Sequence, residues 1–248
     1  MNINFFKKLF ILLIFLFTNS KLSSQVINVE SKRQSQEKGI SGVVEFAFDY
    51  KKSKNLDWEF TSVSYVQWDN FKWSVLLLNE INLDRAGGVD FSNDGYQHLR
   101  LSRHLNSIFT IESFLQNQFD PVRDIKNRKL GGVGLRCKII KNHFIGLSSF
   151  YENEVLESDI KSNTIRLNAY LRLKFEINQN ISLSSITYFQ PDLFRLCDYK
   201  ISNDNIIIFN INERFSFSNS IEISYDVFPA KGIPKIIYAI QNGLSFNF

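Results

Sequence analysis

Residues 164–175 read TIRLNAYLRLKF. Strand side chains alternate between faces, so Ile165, Leu167, Ala169, Leu171, Leu173 and Phe175 share one side, and Arg166, Asn168, Tyr170, Arg172 and Lys174 the other. A soluble sheet turns the apolar side inward. Ordinary strands run about 5 to 6 residues, however, and this alternation lasts about twice that, the length a tilted strand needs to cross a bilayer. The stretch therefore predicts an inverted strand, with its apolar face toward lipid and its polar face toward the protein interior.

The pattern recurs along the chain. Alternating segments fall at 41–50, 56–68, 71–83, 95–103, 108–119, 130–140, 144–152, 164–175, 181–190, 204–211, 216–228 and 235–248, with no sustained helical periodicity between them. Tight links at 69–70, 103–107, 141–143, 178–180 and 212–214 alternate with longer ones at 51–55, 84–94, 120–128, 153–163, 191–203 and 229–234. An even strand number with short turns on one side and long loops on the other is the pattern of a bacterial outer-membrane barrel, whose short turns face the periplasm. The expectation is an all-β protein, an antiparallel transmembrane β-barrel of about twelve strands over 41–248. A secreted soluble β-sandwich is the competing reading, with the alternation inverted.

The first residues agree. MNINFFKKLFILLIFLFTNSKLSSQ places Lys7 and Lys8 before a nine-residue apolar run, Leu9 to Phe17, followed by small and polar residues. This is the form of a secretory signal, expected to be removed after about residue 24, and the run is too short for a membrane-spanning helix. Residues 25–40 form a polar periplasmic lead-in. The formal charge of +4 includes Lys7, Lys8 and Lys21, so the mature chain carries only +1 and a nucleic-acid partner loses its main support. Cys137 and Cys197 permit one disulfide, but unpaired cysteines are the default reading.

The aromatic residues sort by depth. Trp58 and Trp68 share a face ten residues apart. At about 3.3 Å per residue and a tilt near 40°, that spans roughly 25 Å, the height of a lipid-facing band. The chain stops at NGLSFNF, with Ile240, Leu244, Phe246 and Phe248 on one face. This ending resembles the signal read by the outer-membrane barrel assembly machinery, an aromatic last residue preceded by apolar residues at alternate positions. Phe246 and Phe248 are therefore the expected assembly signal. The implied partners are that machinery, periplasmic chaperones, and outer-membrane lipid and lipopolysaccharide.

The stretches INVESKR (27–33), GYQHLRLSRHL (95–105), NRKLGGVGLR (127–136), SLSSITYFQP (182–191) and GIPKIIYAIQNGLSFNF (232–248) resemble the domain of unknown function 481 family, often labelled salt-induced outer membrane proteins. The resemblance implies an outer-membrane location and barrel architecture, and it carries over no functional residue. The frequent Asn, Ile, Lys and Phe resemble a Bacteroidetes-type secreted protein.

If the apolar faces meet lipid, the other faces line a lumen. Arg100, Arg136, Lys138, Arg166, Arg172 and Lys174 then form a basic wall, joined by His98. Glu45, Asp49, Glu59, Glu222 and Asp226 form an acidic wall opposite, once closure brings the last strands beside the first. Glu112 and Glu152 interrupt the basic wall. Two readings follow: ion pairs that fill a narrow barrel, or a small channel whose transverse field orients solutes.

Catalysis is not expected. One twelve-strand barrel family is a phospholipase with a lipid-facing His and Ser two residues apart. Here His98 faces the lumen with Arg100 two positions on, and His104 and His143 lie in turns. The loop acids Asp84, Asp90, Asp94, Glu154, Glu157 and Asp159 match no defined calcium loop, and Gly87-Gly88 and Gly131-Gly132 lack the strand-to-helix context of a phosphate loop. No metal or cofactor is expected.

Overall fold

The computed structural model describes residues 38–52, 56–86, 89–212 and 215–246. The expected signal segment, most of the lead-in, and Phe248 lie outside them. Twelve strands follow in chain order: β1 (Gly39–Lys52), β2 (Leu56–Asp69), β3 (Trp73–Ala86), β4 (Val89–His104), β5 (Phe109–Asp120), β6 (Ile125–Ile140), β7 (His143–Leu156), β8 (Lys161–Glu176), β9 (Ile181–Pro191), β10 (Tyr199–Asn210), β11 (Phe215–Asp226) and β12 (Ile236–Phe246). Each pairs antiparallel with the next in a single sheet, ordered β1 to β12. One sheet rather than two removes the sandwich reading. β1 and β12 are its edges, and no pairing joins them among the described residues, so the sheet is open there.

All twelve expected segments are strands, but several run further than the alternation. β3 extends to Ala86, β4 starts at Val89, β6 at Ile125, β8 at Lys161 and β10 at Tyr199. Every one of these extensions lies at the end where long loops are expected. The expected longer links at 84–94, 120–128 and 153–163 are thus mostly strand, and among the described residues only 192–198 and 227–235 remain as open connections longer than a tight turn. The reason is local: alternation fades where the outward side chains turn polar, as at Lys129, Lys161 and Asn163, while the backbone ladder continues.

Asparagine shapes the tight turns. Asn70 Oδ1 accepts the amides of Lys72 and Trp73 at 2.8 and 2.7 Å, and Asn106 Oδ1 accepts those of Ile108 and Phe109, both at 2.8 Å. Asn178 and Asn212 make the same kind of bond to the amides of Asn180 and Phe215, at 2.8 and 2.9 Å. Asn142 adopts φ 68°, a left-handed conformation that Asn tolerates better than most residues.

The sheet is inverted. On the outward side Leu115, Val133 and Leu147 are 63, 63 and 62 % exposed. On the inward side His98, Arg128 and Glu152 are 1, 1 and 2 % exposed. The sheet also curls: Arg123, from the 3-10 turn Pro121–Arg123 after β5, lies with Glu222, Ser224 and Ala239 of β11 and β12 around one small cavity. The concave face is therefore the charged one.

Candidate functional site

The interior is built from even-numbered positions of β3 to β11 and odd-numbered positions of β1, β2 and β12, because the registers stack them on one face: Asp49 opposite Glu59, Leu78 opposite His98, Asp204 opposite Glu222, and Glu222 opposite Ala239. Most of its charges collect in three groups, with a further Arg123–Asp120 pair at one end.

The deepest lies toward the open-loop end. The Arg128 guanidinium donates to Glu152 at 2.6 Å and approaches Glu154 at 3.5 Å. Arg166 reaches the other oxygen of Glu152 at 3.5 Å and Asp198 at 3.2 Å. Lys200 comes from β10, with Nζ 3.6 Å from Glu152, 3.8 Å from Glu154 and 3.8 Å from Asp226. Glu152 thus serves three cations. Burial of unpaired charge is costly enough that such a cluster persists only when its members compensate one another.

The second group is local. Arg100 lies 3.1 Å from Glu112 on the adjacent strand and donates from Nε to His98 Nε2 at 3.3 Å. His98 Nδ1 meets Gln116 at 2.9 Å. Between the first two groups a small cavity of about 50 Å³ is lined by Arg100, Glu112, Arg128, Tyr170, Tyr188 and Gln190.

The third group sits by the tight turns. Arg136 stacks over the Phe144 ring at 3.7 Å, and the Arg172 guanidinium is 5.8 Å from the same ring. Lys138 stands opposite Phe144 in register, and Phe144 opposite Arg172. Gly146 leaves room for the Tyr170 ring, because a Cβ there would lie 2.0 Å from Tyr170 Cε1.

At the open end, the turn residue Arg123 lies 3.3 Å from Asp120. Burial pulls its guanidinium below the ordinary value, and the Asp120 carboxylate opposes this. The Asp192 side chain accepts the amides of Phe194 and Arg195 at 2.8 and 3.0 Å, and the Thr164 hydroxyl donates to it. Desolvation raises the Asp192 carboxyl, but these bonds and the Arg166 charge outweigh it and hold the carboxyl below the usual range.

The two expected walls assemble differently from their sequence reading. Arg100, Arg136 and Arg166 are buried, Arg172 and Lys174 half-buried, and Lys138 exposed. On the acidic side only Asp226 is buried; Glu222 is half-buried, and Glu45, Asp49 and Glu59 are exposed near the β1 edge. The principal acids are instead Glu112 and Glu152, on the same wall as the bases they neutralise. Arg123, Arg128, Glu154, Asp198 and Lys200 belong to the interior too, yet all fall in segments that read as loops. Period-two counting continued through 120–128 and 199–203 would have placed Arg128 and Lys200 inward. Phe246 closes β12 opposite Phe215. Cys137 and Cys197 are unpaired, and among the described residues no three His, Cys, Asp or Glu side chains group to hold a metal ion.

A curled twelve-stranded antiparallel sheet with an apolar exterior and a charged concave face is a porin-type fold. A solved structure titled "NanC porin structure in rhombohedral crystal form" superposes with a TM-score of 0.51, covering 83 % of this chain and 100 % of that one at 13 % identity. Residues 44–248 match the family described as "Protein of unknown function, DUF481", and the chain belongs to that family. No curated protein matches it.

Proposed function

We propose that this protein is an outer-membrane β-barrel whose interior is a narrow passage for small solutes or ions. The carrying observation is the inversion of the sheet, with apolar side chains exposed outward and Arg128, Glu152 and His98 enclosed inward. Outward apolar surface of that extent is stable in lipid, not in water. In this reading β12 closes against β1 in the membrane, residues 1 to about 24 direct export, and periplasmic chaperones and the assembly machinery deliver the chain to a surface that contains lipopolysaccharide. The porin-type fold supports the reading. The protein performs no chemical step in it; the Arg128–Glu152–Arg166–Lys200 cluster narrows the passage.

Planar-bilayer recording with the purified full chain tests the passage. Discrete openings are expected, and Arg166→Glu with Arg172→Glu shifts ion preference toward cations, because charges facing the permeating ion reverse. A silent wild type, with the double variant merely less stable, overturns the passage and favours the second reading, a closed structural barrel whose interior ion pairs act as a plug. The transverse Lys200–Glu152 contact at 3.6 Å is the observation that favours that alternative. Location has its own test: a protein soluble in the periplasm, with no gel mobility shift on boiling, overturns the barrel.

A further inference from the structure

The outward surface is largely apolar, but β9 to β12 carry an island of amides on it. Thr187 stands opposite Asn203 in register, Asn205 follows two residues along β10, and Asn219 on β11 stands opposite Asn242 on β12. Apolar side chains bound this island. Leu171 stands opposite Thr187, Ile223 opposite Asn203, Ile221 opposite Asn205 and Ile207 opposite Asn219. Toward the tight turns the same face continues with Phe209, Phe217 and Leu244, and toward the other end with Ile201, Tyr225 and Tyr238. A second outward row, Asn79, Gln97 and Asn117, differs because it runs on in register through Lys129 and Asn153 to Asn163, near the polar ends of β6 to β8. The island on β9 to β12 has apolar neighbours toward both ends of its strands.

Its hydrogen bonding is satisfied only in part. Asn203 Nδ2 donates to the Thr187 hydroxyl at 2.8 Å and to the Ile186 carbonyl at 3.2 Å, and the Asn205 amide donates to Asn203 Oδ1. Asn219 Nδ2 donates to Asn242 Oδ1 at 2.8 Å. Each Asn side chain offers two N–H groups and an acceptor oxygen. Among the described residues, the Asn205 and Asn219 oxygens and the Asn242 amino group have no hydrogen-bond partner. In lipid such groups are costly unless another polar surface meets them.

We propose that the surface formed by Thr187, Asn203, Asn205, Asn219 and Asn242 is an interface with a second copy of this chain within the membrane. The island is self-complementary. Acceptors on β10 and donors on β12 flank Asn219, so a two-fold axis near Asn219 sets the Asn242 amino group of each copy against the Asn205 oxygen of the other. The inference rests on the outer-membrane reading, since in water the same amides would be hydrated.

Oxidative crosslinking of Asn219→Cys in membranes, with Cys137→Ser and Cys197→Ser, tests the contact. Leu147→Cys, exposed on the outward side of β7, is the control. The disulfide-linked dimer is expected to exceed the control at least fivefold. Sedimentation of the detergent-purified full chain should give two chains per particle. Asn205→Leu with Asn219→Leu and Asn242→Leu is expected to lower the dimer fraction at least tenfold at equal concentration, with the heat-modifiable gel shift intact. If the leucine variant loses the shift, the cysteine crosslink decides. Wild type that shows the gel shift yet sediments as one chain, or crosslinks no more than the control, overturns the interface and leaves the barrel standing. A dimer that survives the three leucines overturns this surface as the contact. A soluble chain with no gel shift overturns the outer-membrane reading, and the interface with it.

Discussion

Lys200 Nζ lies 3.6 Å from Glu152 Oε1, although β8 and β9 separate their strands in the sheet. At about 4.8 Å per strand, the two backbones are roughly 14 Å apart along the surface, so the contact exists only because the charged face is concave. Glu152 is the residue on which this curvature converges. Its carboxylate meets Arg128 at 2.6 Å, Arg166 at 3.5 Å and Lys200 at 3.6 Å.

Neutralising that carboxylate leaves three buried cations without their common partner. Glu152→Gln is expected to destabilise the folded protein by about 3–5 kcal/mol, the range for breaking a buried pair from one side. Urea unfolding in micelles, followed by tryptophan fluorescence, measures it. A loss no larger than that of Lys126→Gln would mean that the cluster is solvated and replaceable.

Gly146 carries a different kind of constraint. A Cβ at that position would sit 2.0 Å from Tyr170 Cε1 and 2.3 Å from Cζ, so the ring must leave its place against the β7 backbone. Gly146→Ala is expected to cost about 1–3 kcal/mol, as overpacking usually does. Combined with Tyr170→Leu, the alanine should do little further harm. Additive losses in the same unfolding assay would sink the steric account.

Strand number, order and facing were legible because each follows from period-two alternation, which survives wherever one face must meet an apolar phase. The charge network was legible only in part. Arg100, Arg136 and Arg166 lie within the alternating stretches; Arg128 lies where the outward face is already polar, between Asn127 and Lys129, whereas Lys200 lies between Tyr199 and Ile201, where alternation persists but falls in a segment that reads as a loop. Partner choice was not legible at all. A transverse field was inferred from which strands carry acids, but pairing is decided by neighbouring registers, and these set Glu112 beside Arg100 and Glu152 beside Arg128.

Asp192 gives the open end a pH dependence. Its carboxyl is held below the ordinary range, so the stabilisation it gives the 192–198 connection is complete above the unfolded value of about 3.9 and is lost as pH falls through the lower folded value. Hydrogen exchange at the Phe194 and Arg195 amides, corrected for intrinsic rates, should show constant protection from about pH 5 to 7 and a decline below about pH 4. Asp192→Ala should remove the protection throughout. Constant protection down to about pH 2 would show that the carboxylate does not hold this turn.

The last strand carries the assembly prediction. Phe246 is paired opposite Phe215 at the end of β12, and Phe248 follows two residues later on the same face of the sequence pattern. Deleting Phe248, or replacing it with Asp, is expected to lower the amount of heat-modifiable protein in the membrane fraction several-fold, whereas Lys126→Gln should not. Equal membrane levels in all three would place the assembly signal elsewhere in the chain.

In the passage reading, the network around Glu152 also bears on how wide the interior is. Lys200 and Glu152 meet across β8 and β9, and removing both side-chain ends together leaves Arg128 with Glu154 at 3.5 Å and Arg166 with Asp198 at 3.2 Å, so no cation of the cluster loses its only acid. Glu152→Ala with Lys200→Ala should therefore fold better than Glu152→Gln alone, since the charge removed is balanced. In a planar bilayer its unitary conductance is expected to exceed that of wild type about twofold or more, because two long side chains that project into the interior at that depth are cut back. A double variant that folds, shows the mobility shift and conducts no more than wild type would place the constriction elsewhere, at Arg100 and Glu112 or beside Phe144. In that case the Lys200–Glu152 contact acts in stability alone.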